Sequence, residues 1–527
     1  IHQVVRLIKP LYFSSNAMSH SLDRRNFLAR GLAAGAALAA GASTPARMRA
    51  ALAAVGDPAQ SSAAQSSTAK SLPASADSVI MIWLPGGVCQ TDCWDVKRHT
   101  PFETGMKGNQ LLGTCPLIPT AVDGLRFGEG LEQIASVMDR GTLVRSLTSQ
   151  TKFGAVHLKA QYYMMTGYLF PAGVKAPSFG AAVARTLGPR AANVPPYIYI
   201  GRDIDTSDTE KQFIHEFIGP GFYGIEHAPF MIPDPAAGLA TLHAASGISN
   251  ARLDRRIEYL KSVHKLSADS LRHSDKVAGY LGMIDQARAM MDSPVKRAFD
   301  FAKEEKPATL AAYEPRIGSE DLLDRRYFFG RRFGQGLLLA RRLVERGARF
   351  VQVEYQYGAF KGFDTHEDGR VRLAEMKKQI DGPIAQLIRD LADRGLLERT
   401  LVVVCSEFGR TIANQPKAGV EPIGFAEEQT GSELVIANEK MYGFHGHFSS
   451  ANCALMFGGG FKPGLVYGRT ADEHPMVPIE NPIEVPDFHA TLYRALGIAP
   501  DQSYLTETRP FYVTKDGKGR AVEALLG

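Results

Sequence analysis

The stretch from Gly347 to Arg410 constrains this chain more than any other. Arg349-Phe-Val-Gln-Val-Glu-Tyr355 is a short β-branched run, and Thr400-Leu-Val-Val-Val-Cys405 is almost uninterruptedly apolar. Between them, Glu367 to Arg394 sets Val371, Met376, Ile380, Ile384, Leu387 and Leu391 at helical spacing. Gly395 follows as a residue able to end the helix in a left-handed conformation. Strand, long helix, then a strand apolar on both faces is the pattern of a parallel sheet covered by helices. The expected fold class is therefore α/β, a doubly wound, mostly parallel sheet sandwiched by helices. The first strand opens onto Phe363-Asp-Thr-His366 and the second onto Ser406-Glu-Phe-Gly-Arg410. Asp364, His366 and Glu407 should then meet at the carboxyl edge, where open α/β sheets bind ligands. The expectation is a metal or anion site there.

Other segments feed the same edge. Ser78-Val-Ile-Met-Ile-Trp-Leu84 is a strand followed by Pro85-Gly86-Gly87, and glycine there lets backbone approach a ligand closely. Asp92 or Asp95 just beyond is either a further acidic ligand or a turn aspartate bonded to its own backbone. Thr142 to Leu147 is another strand, and it ends in Thr148-Ser149-Gln150-Thr151, with His157 beyond. Such hydroxyls supply a nucleophile, cradle an anion or cap the helix expected over Leu158 to Gly167. Pro195 to Gly201 is a strand as well. Ala454 to Phe457 is a buried strand ending at Gly458-Gly-Gly460, and His445-Gly-His447 precedes it. Alternate residues of an extended segment can reach one ion, so His445 and His447 form an expected metal pair. Asp487 is the expected N-cap of a helix ending at Gly497. From Pro233 to Arg346 the pattern is mostly helical, over Arg252 to Leu260, Ser274 to Met291 and Tyr327 to Arg346. That part is expected to be a helical insertion within one domain covering residues 78–527.

The net charge of +5 is concentrated at the front. Residues 1–50 hold seven basic residues against Asp23, so the rest of the chain carries a net charge of −1. A near-neutral body excludes an electrostatic case for nucleic acid or an anionic membrane. The basic front has the order of an export signal: Ser21-Leu-Asp-Arg-Arg-Asn-Phe-Leu28, then a weakly apolar Gly/Ala run to Ala42. Arg24-Arg25 followed by Phe27-Leu28 resembles a twin-arginine signal, and its apolar run is too short to span a bilayer. The twin-arginine machinery is thus an expected partner, a periplasmic or cell-surface location is expected, and Met18 is the expected native start. Ala51 to Ala76, rich in Ala, Ser and Gln, is an expected tether. Five cysteines are an odd number and too few for a disulfide scaffold. Cys405 and Cys453 are expected in the core, and Cys89 and Cys93 either pair, bind metal or pack.

The motifs taken in order carry a family resemblance. Gly86-Gly87, Asp92-x-x-Asp95-x-Lys97, Arg145-Ser146, His157 and Thr166-Gly167 come first. Phe333-Gly-Gln-Gly-Leu-Leu-Leu-Ala-Arg-Arg342, Phe363-Asp-Thr-His366, Ser406-Glu-Phe-Gly-Arg-Thr411, Gly458-Gly-Gly460 and Asp487-Phe-His-Ala-Thr491 follow. The set resembles exported bacterial proteins of the domain-of-unknown-function 1501 family, grouped with the alkaline phosphatase and sulfatase superfamily. The resemblance implies divalent metal (zinc, calcium or manganese) at the carboxyl edge, and hydrolysis of phosphate or sulfate esters of a small molecule or glycan. It implies Asp364, His366 and His447 as ligands of one metal. Glu407 falls where the superfamily usually has the Asp of an Asp-His pair, Phe408 where that His would be, and Gly446 where the family often has an Asp. Neither the Cys/Ser-x-Pro-x-Arg sulfatase motif nor an Asp-Ser-Ala is present, which leaves Thr148, Ser149 and Thr151 as positional nucleophile candidates. Arg410 either neutralises substrate oxygens or forms a structural ion pair. A non-catalytic exported binding protein that keeps the fold is the alternative.

Overall fold

The computed structural model describes residues 72–149, 156–170, 173–201, 216–238, 242–244, 247–266, 275–316, 325–357, 362–412, 434–506 and 509–527. The leader, the expected tether up to residue 71 and Thr151 lie outside the described residues, and the tether's last residues are no free linker, since the Ser75 and Ala76 N–H groups donate to the Ala495 carbonyl. The fold is that of the unit formed by residues 67–243 and 250–527.

Nine strands make one sheet: β1 (Ser78–Trp83), β2 (Gly141–Thr148), β3 (Tyr197–Ile200), β4 (Phe230–Ile232), β5 (Phe350–Glu354), β6 (Thr400–Cys405), β7 (Asn452–Phe457), β8 (Leu465–Tyr467) and β9 (Ile483–Glu484). Their order across the sheet is β8-β2-β7-β6-β1-β5-β3-β4, and β9 also pairs with β2. Every pairing is parallel except those of β7, which runs against both β2 and β6.

The central strands are buried from end to end because they have a core on each face. Ile80, Ile82, Val351, Val353, Val402 and Val404 face one core. Val79, Met81, Trp83, Phe350, Leu401 and Val403 face the other. The helices are α1 (His157–Thr166), α2 (Phe179–Leu187), α3 (Asn250–Lys265), α4 (Asp275–Asp292), α5 (Arg325–Glu345), α6 (Gly369–Asp393) and α7 (Val485–Ala495). α5 and α6 cover the first face, while α1, α2 and α7 cover the second. α5 packs directly on β5 and α6, so it belongs to the layer covering the sheet. α3 buries no residue.

α6 stops where the sequence places the stop, with Gly395 at φ 65°. Its buried stripe differs by one position. Val371 is 53% exposed and Leu373 turns inward instead. A fully buried aliphatic side chain is worth about 1.5–3 kcal/mol, so the stripe from Leu373 to Leu391 fixes the helix and Val371 adds little.

Two local expectations change. α7 begins at Val485, so Asp487 sits in its first turn and accepts the Arg520 N–H at 2.8 Å instead of capping. α1 starts after Val156, so neither Thr148 nor Ser149 is its N-cap. Among the described residues no helix is long and apolar enough to cross a membrane.

Candidate metal centre

Five chain segments converge at the carboxyl ends of the parallel strands. β1 exits into Gly86-Gly87, β5 into Asp364 and His366, β6 into Glu407 and Arg410, and β2 toward His157. β7 runs the other way, so the residues before it reach this edge, and His447 is among them. The same reversal sends Gly458-Gly-Gly460 to the opposite edge. There a Cβ on Gly458 would lie 2.0 Å from the Leu397 carbonyl. Those glycines are therefore packing devices at the far end of the sheet, away from the site.

The exit from β1 is glycine because nothing larger fits. Gly86 has φ 115°, and a Cβ there would lie 2.3 Å from the Asp364 nitrogen. This closeness lets the Gly86 N–H donate to Glu407 Oε1 at 2.8 Å. Gly87, at φ 81°, leaves room for the Phe408 ring.

His157, Asp364, His366 and His447 each offer one donor atom, and all four atoms lie within 4.8 Å of one another. Asp364 Oδ1 is the hub. It is 2.9 Å from His366 Nε2, 3.1 Å from His157 Nε2, 2.5 Å from Arg410 Nη2 and 3.8 Å from His447 Nε2. His157 Nδ1 is 2.8 Å from Glu407 Oε1. Phe408 packs against His157 and His447, with ring centroids 4.9 Å apart in both cases. His157 and His447 meet edge to face at 4.5 Å.

The electrostatics follow from this crowding. Burial opposes charge on His157, but the Asp364 and Glu407 carboxylates outweigh it and push its pKa up to about 9. Burial also opposes charge on Asp364, but the imidazoles around it hold its carboxyl far below the usual range. Burial, helped by the Arg410 and His157 charges, pulls His447 down to about 3. His366 is lowered as well, by burial first. His447 is thus a neutral imidazole, the form that ligates metal.

Among the buried side-chain atoms without a hydrogen-bond partner, two lie at this group, His447 Nε2 and Glu407 Oε2. Buried polar atoms are nearly always satisfied, so such orphans mark a place built for something else. Three imidazoles and a carboxylate within one ion's reach fit a divalent transition metal.

The sequence candidates divide as follows. Asp364, His366 and His447 come together as expected. Glu407 lies outside the four-donor group and instead holds His157 in place. His157, which the sequence offered beyond a strand end and among the family-like motifs but not as a ligand, completes the group. Asp92 and His445 are elsewhere, in a buried cluster with Cys89, so the His445/His447 pair does not share one ion. His445 Nδ1 is 2.7 Å from Thr365 Oγ1, which turns the ring away. Asp95 joins Lys97, Arg145 and Thr470 in a separate buried network. Cys89 and Cys93 are free thiols, as are the other three cysteines.

Arg410 differs from the substrate-facing role suggested for it. Its five N–H groups bond the Gly87, Thr365, His445 and Gly86 carbonyls and Asp364 Oδ1. It is a fully buried clamp with no N–H left for a substrate. Thr148 pairs with Glu484 at the end of β2, and Ser149 donates its N–H and Oγ to the Ser449 carbonyl at 3.1 and 3.4 Å. Beside Arg410 lies a cavity of about 310 Å³, lined by Gln90, Thr91, Thr411, Phe448 and Met476 among others, with no acidic residue in its wall.

A family model described as "Protein of unknown function (DUF1501)" matches residues 76–526. No curated protein matches the chain. Among solved structures it is similar to the lipoteichoic acid synthase LtaP from Listeria monocytogenes, at 10% identity and TM-score 0.34 over 84% of this chain and 76% of that one. It is also similar to the PsFucS1 sulfatase from Pseudoalteromonas sp., at 12% identity and TM-score 0.35 over 84% and 73%. The phosphonate monoester hydrolase SpPMH from Silicibacter pomeroyi matches at 13% identity and TM-score 0.33 over 86% and 76%.

Proposed function

This chain belongs to the DUF1501 family, and from its sheet-edge donor group we propose that it is an exported, metal-dependent hydrolase of phosphate or sulfate esters. The observation that carries the reading is the group of His157, Asp364, His366 and His447, with the buried Nε2 of His447 left unpartnered. These four residues would hold the ion. When bound, such an ion supplies Lewis acidity toward an ester oxygen.

The chain's own residues do the rest. Glu407 accepts from His157 Nδ1, which orients the ring and leaves Nε2 toward the donor group, as carboxylates commonly do for metal-ligating histidines. Phe408 closes one side of the group by packing its ring against His157 and His447. Arg410 fixes Asp364 and four backbone carbonyls, so the donors are held before substrate arrives. The cavity of about 310 Å³ beside Arg410 is lined by none of the four donor residues, so the reading of an ester of a small molecule or glycan rests on the donor group and not on that cavity. The twin-arginine motif supports export through that machinery to the periplasm or cell surface.

The test is the metal content of the purified protein, with hydrolysis of phosphate and sulfate esters measured alongside. Asp364→Asn is preferable to alanine, because its amide oxygen still accepts from Arg410 Nη2, although either variant removes the carboxylate charge beside the buried guanidinium at about 3–5 kcal/mol. Bound zinc or manganese in the wild type, and not the calcium that oxygen ligands would take, lost in Asp364→Asn and His447→Ala together with ester hydrolysis, is the expected outcome. A wild type that holds no metal and rebinds none would overturn the proposal and leave a binding protein on this fold.

A further inference from the structure

A second cluster lies in the interior, apart from the sheet-edge group. Cys89 precedes, and Asp92 ends, the single turn Gln90–Asp92 that follows the β1 exit, and His445 lies in the loop leading to His447. All three are at most 1% exposed. One donor atom from each lies within 4.8 Å of the other two.

Cys89 Sγ is 3.4 Å from Thr91 Oγ1, and the hydrogen bonds of Asp92 and His445 leave those two side chains facing each other without closing. Asp92 is anchored by Thr114, whose N–H donates to Oδ1 at 2.8 Å and whose hydroxyl donates to Oδ2. Thr365 occupies Nδ1 of His445 at 2.7 Å. The Nε2 of His445 is fully buried, lies 3.6 Å from Asp92 Oδ2 and has no hydrogen-bond partner. A hydrogen bond between them would close to about 2.7–3.2 Å. Two ligands on one tetrahedral ion, each bonded at about 2.1 Å, sit about 3.4 Å apart. The observed 3.6 Å is too long for that hydrogen bond and close to the spacing of two ligands on one ion.

We propose that Cys89, Asp92 and His445 form a second, buried metal site for a borderline-soft divalent ion of the zinc class. The thiolate selects against calcium and magnesium, which take oxygen ligands. One thiolate and one carboxylate on a divalent ion sum to zero charge, the least costly state for a dry interior. The site's role is structural. It ties the β1 exit to the loop that carries His447, and so positions a ligand of the sheet-edge group without touching substrate.

Cobalt(II) titration of the metal-free full chain separates the two sites, because only this one contains a thiolate. The wild type should show a near-ultraviolet thiolate-to-cobalt band and bind a second equivalent of cobalt. Cys89→Ser should abolish the band and lose one equivalent. His447→Ala should keep the band and lose the other equivalent, which also shows whether the sheet-edge reading stands by itself. X-ray absorption of the zinc-loaded wild type needs no variant to fold, and it should find sulfur in the metal's shell. A wild type with no thiolate band and no sulfur scatterer, or a band that survives Cys89→Ser, would overturn the proposal.

Discussion

His157 bridges two carboxylates, with Nδ1 on Glu407 and Nε2 on Asp364, and this arrangement makes it the charge-bearing imidazole of the metal-free site. Its pKa rises from 6.5 to about 9 on folding, against burial and because of Asp364 and then Glu407. A raised pKa stabilises the fold fully below 6.5, and that contribution is lost as pH rises through about 9. At about 1.4 kcal/mol per pKa unit, the contribution is on the order of 3 kcal/mol. The metal-free protein should therefore lose Tm between pH 6.5 and 9, and His157→Gln should flatten that slope. A slope unchanged in the variant would place the titration elsewhere. In the sequence His157 was one histidine past a strand end, and no spacing linked it to Asp364, which is 207 positions away. Asp364 and His366 were legible because one strand end presents both. His445 misled because alternation predicts a shared direction only while the segment stays extended, and the regular strand there covers just His447 and Phe448.

The turn leaving β1 shows what an element contributes beyond its side chains. Gly86 brings backbone against Asp364 and gives its N–H to Glu407, so one residue joins the ends of β1, β5 and β6. Gly86→Ala should cost about 1–3 kcal/mol from backbone strain alone. The same variant should lower metal stoichiometry, because a Cβ displaces the Asp364 nitrogen. Calorimetry beside metal analysis checks both, and a variant that loses Tm but keeps full metal would separate the turn from the site. β1, β2, β5, β6, β7 and α6 were readable in the sequence because apolar periodicity is local. The direction of β7 was not, because it depends on partners such as Leu143, far from Leu455 in the chain. That direction decides which flank of β7 faces the site, the histidines before it or the glycines after it.

At the scale of the whole molecule, the leader and the metal centre make separate predictions. Replacing Arg24 and Arg25 with lysine should hold the protein in the cytoplasm, as cell fractionation would show, while the purified variant keeps its metal and Tm. Export unchanged by the double substitution would remove the twin-arginine reading. Stripping metal with a chelator should lower Tm, since an ion at 100 times its Kd contributes about 2.7 kcal/mol. The proposed export signal rests on charge and composition, which change sharply along the first 50 residues. The unequal placement of the two histidine-bearing clusters was not legible, because burial depth has no local sequence signature. Arg410 bonds Gly86, 324 positions earlier, and His445, 35 positions later. Its guanidinium is satisfied only after segments spread over most of the chain have docked. The clamp thus closes last: a half-assembled chain cannot bring the four donors together, and a metal held there as proposed would be captured only as folding ends.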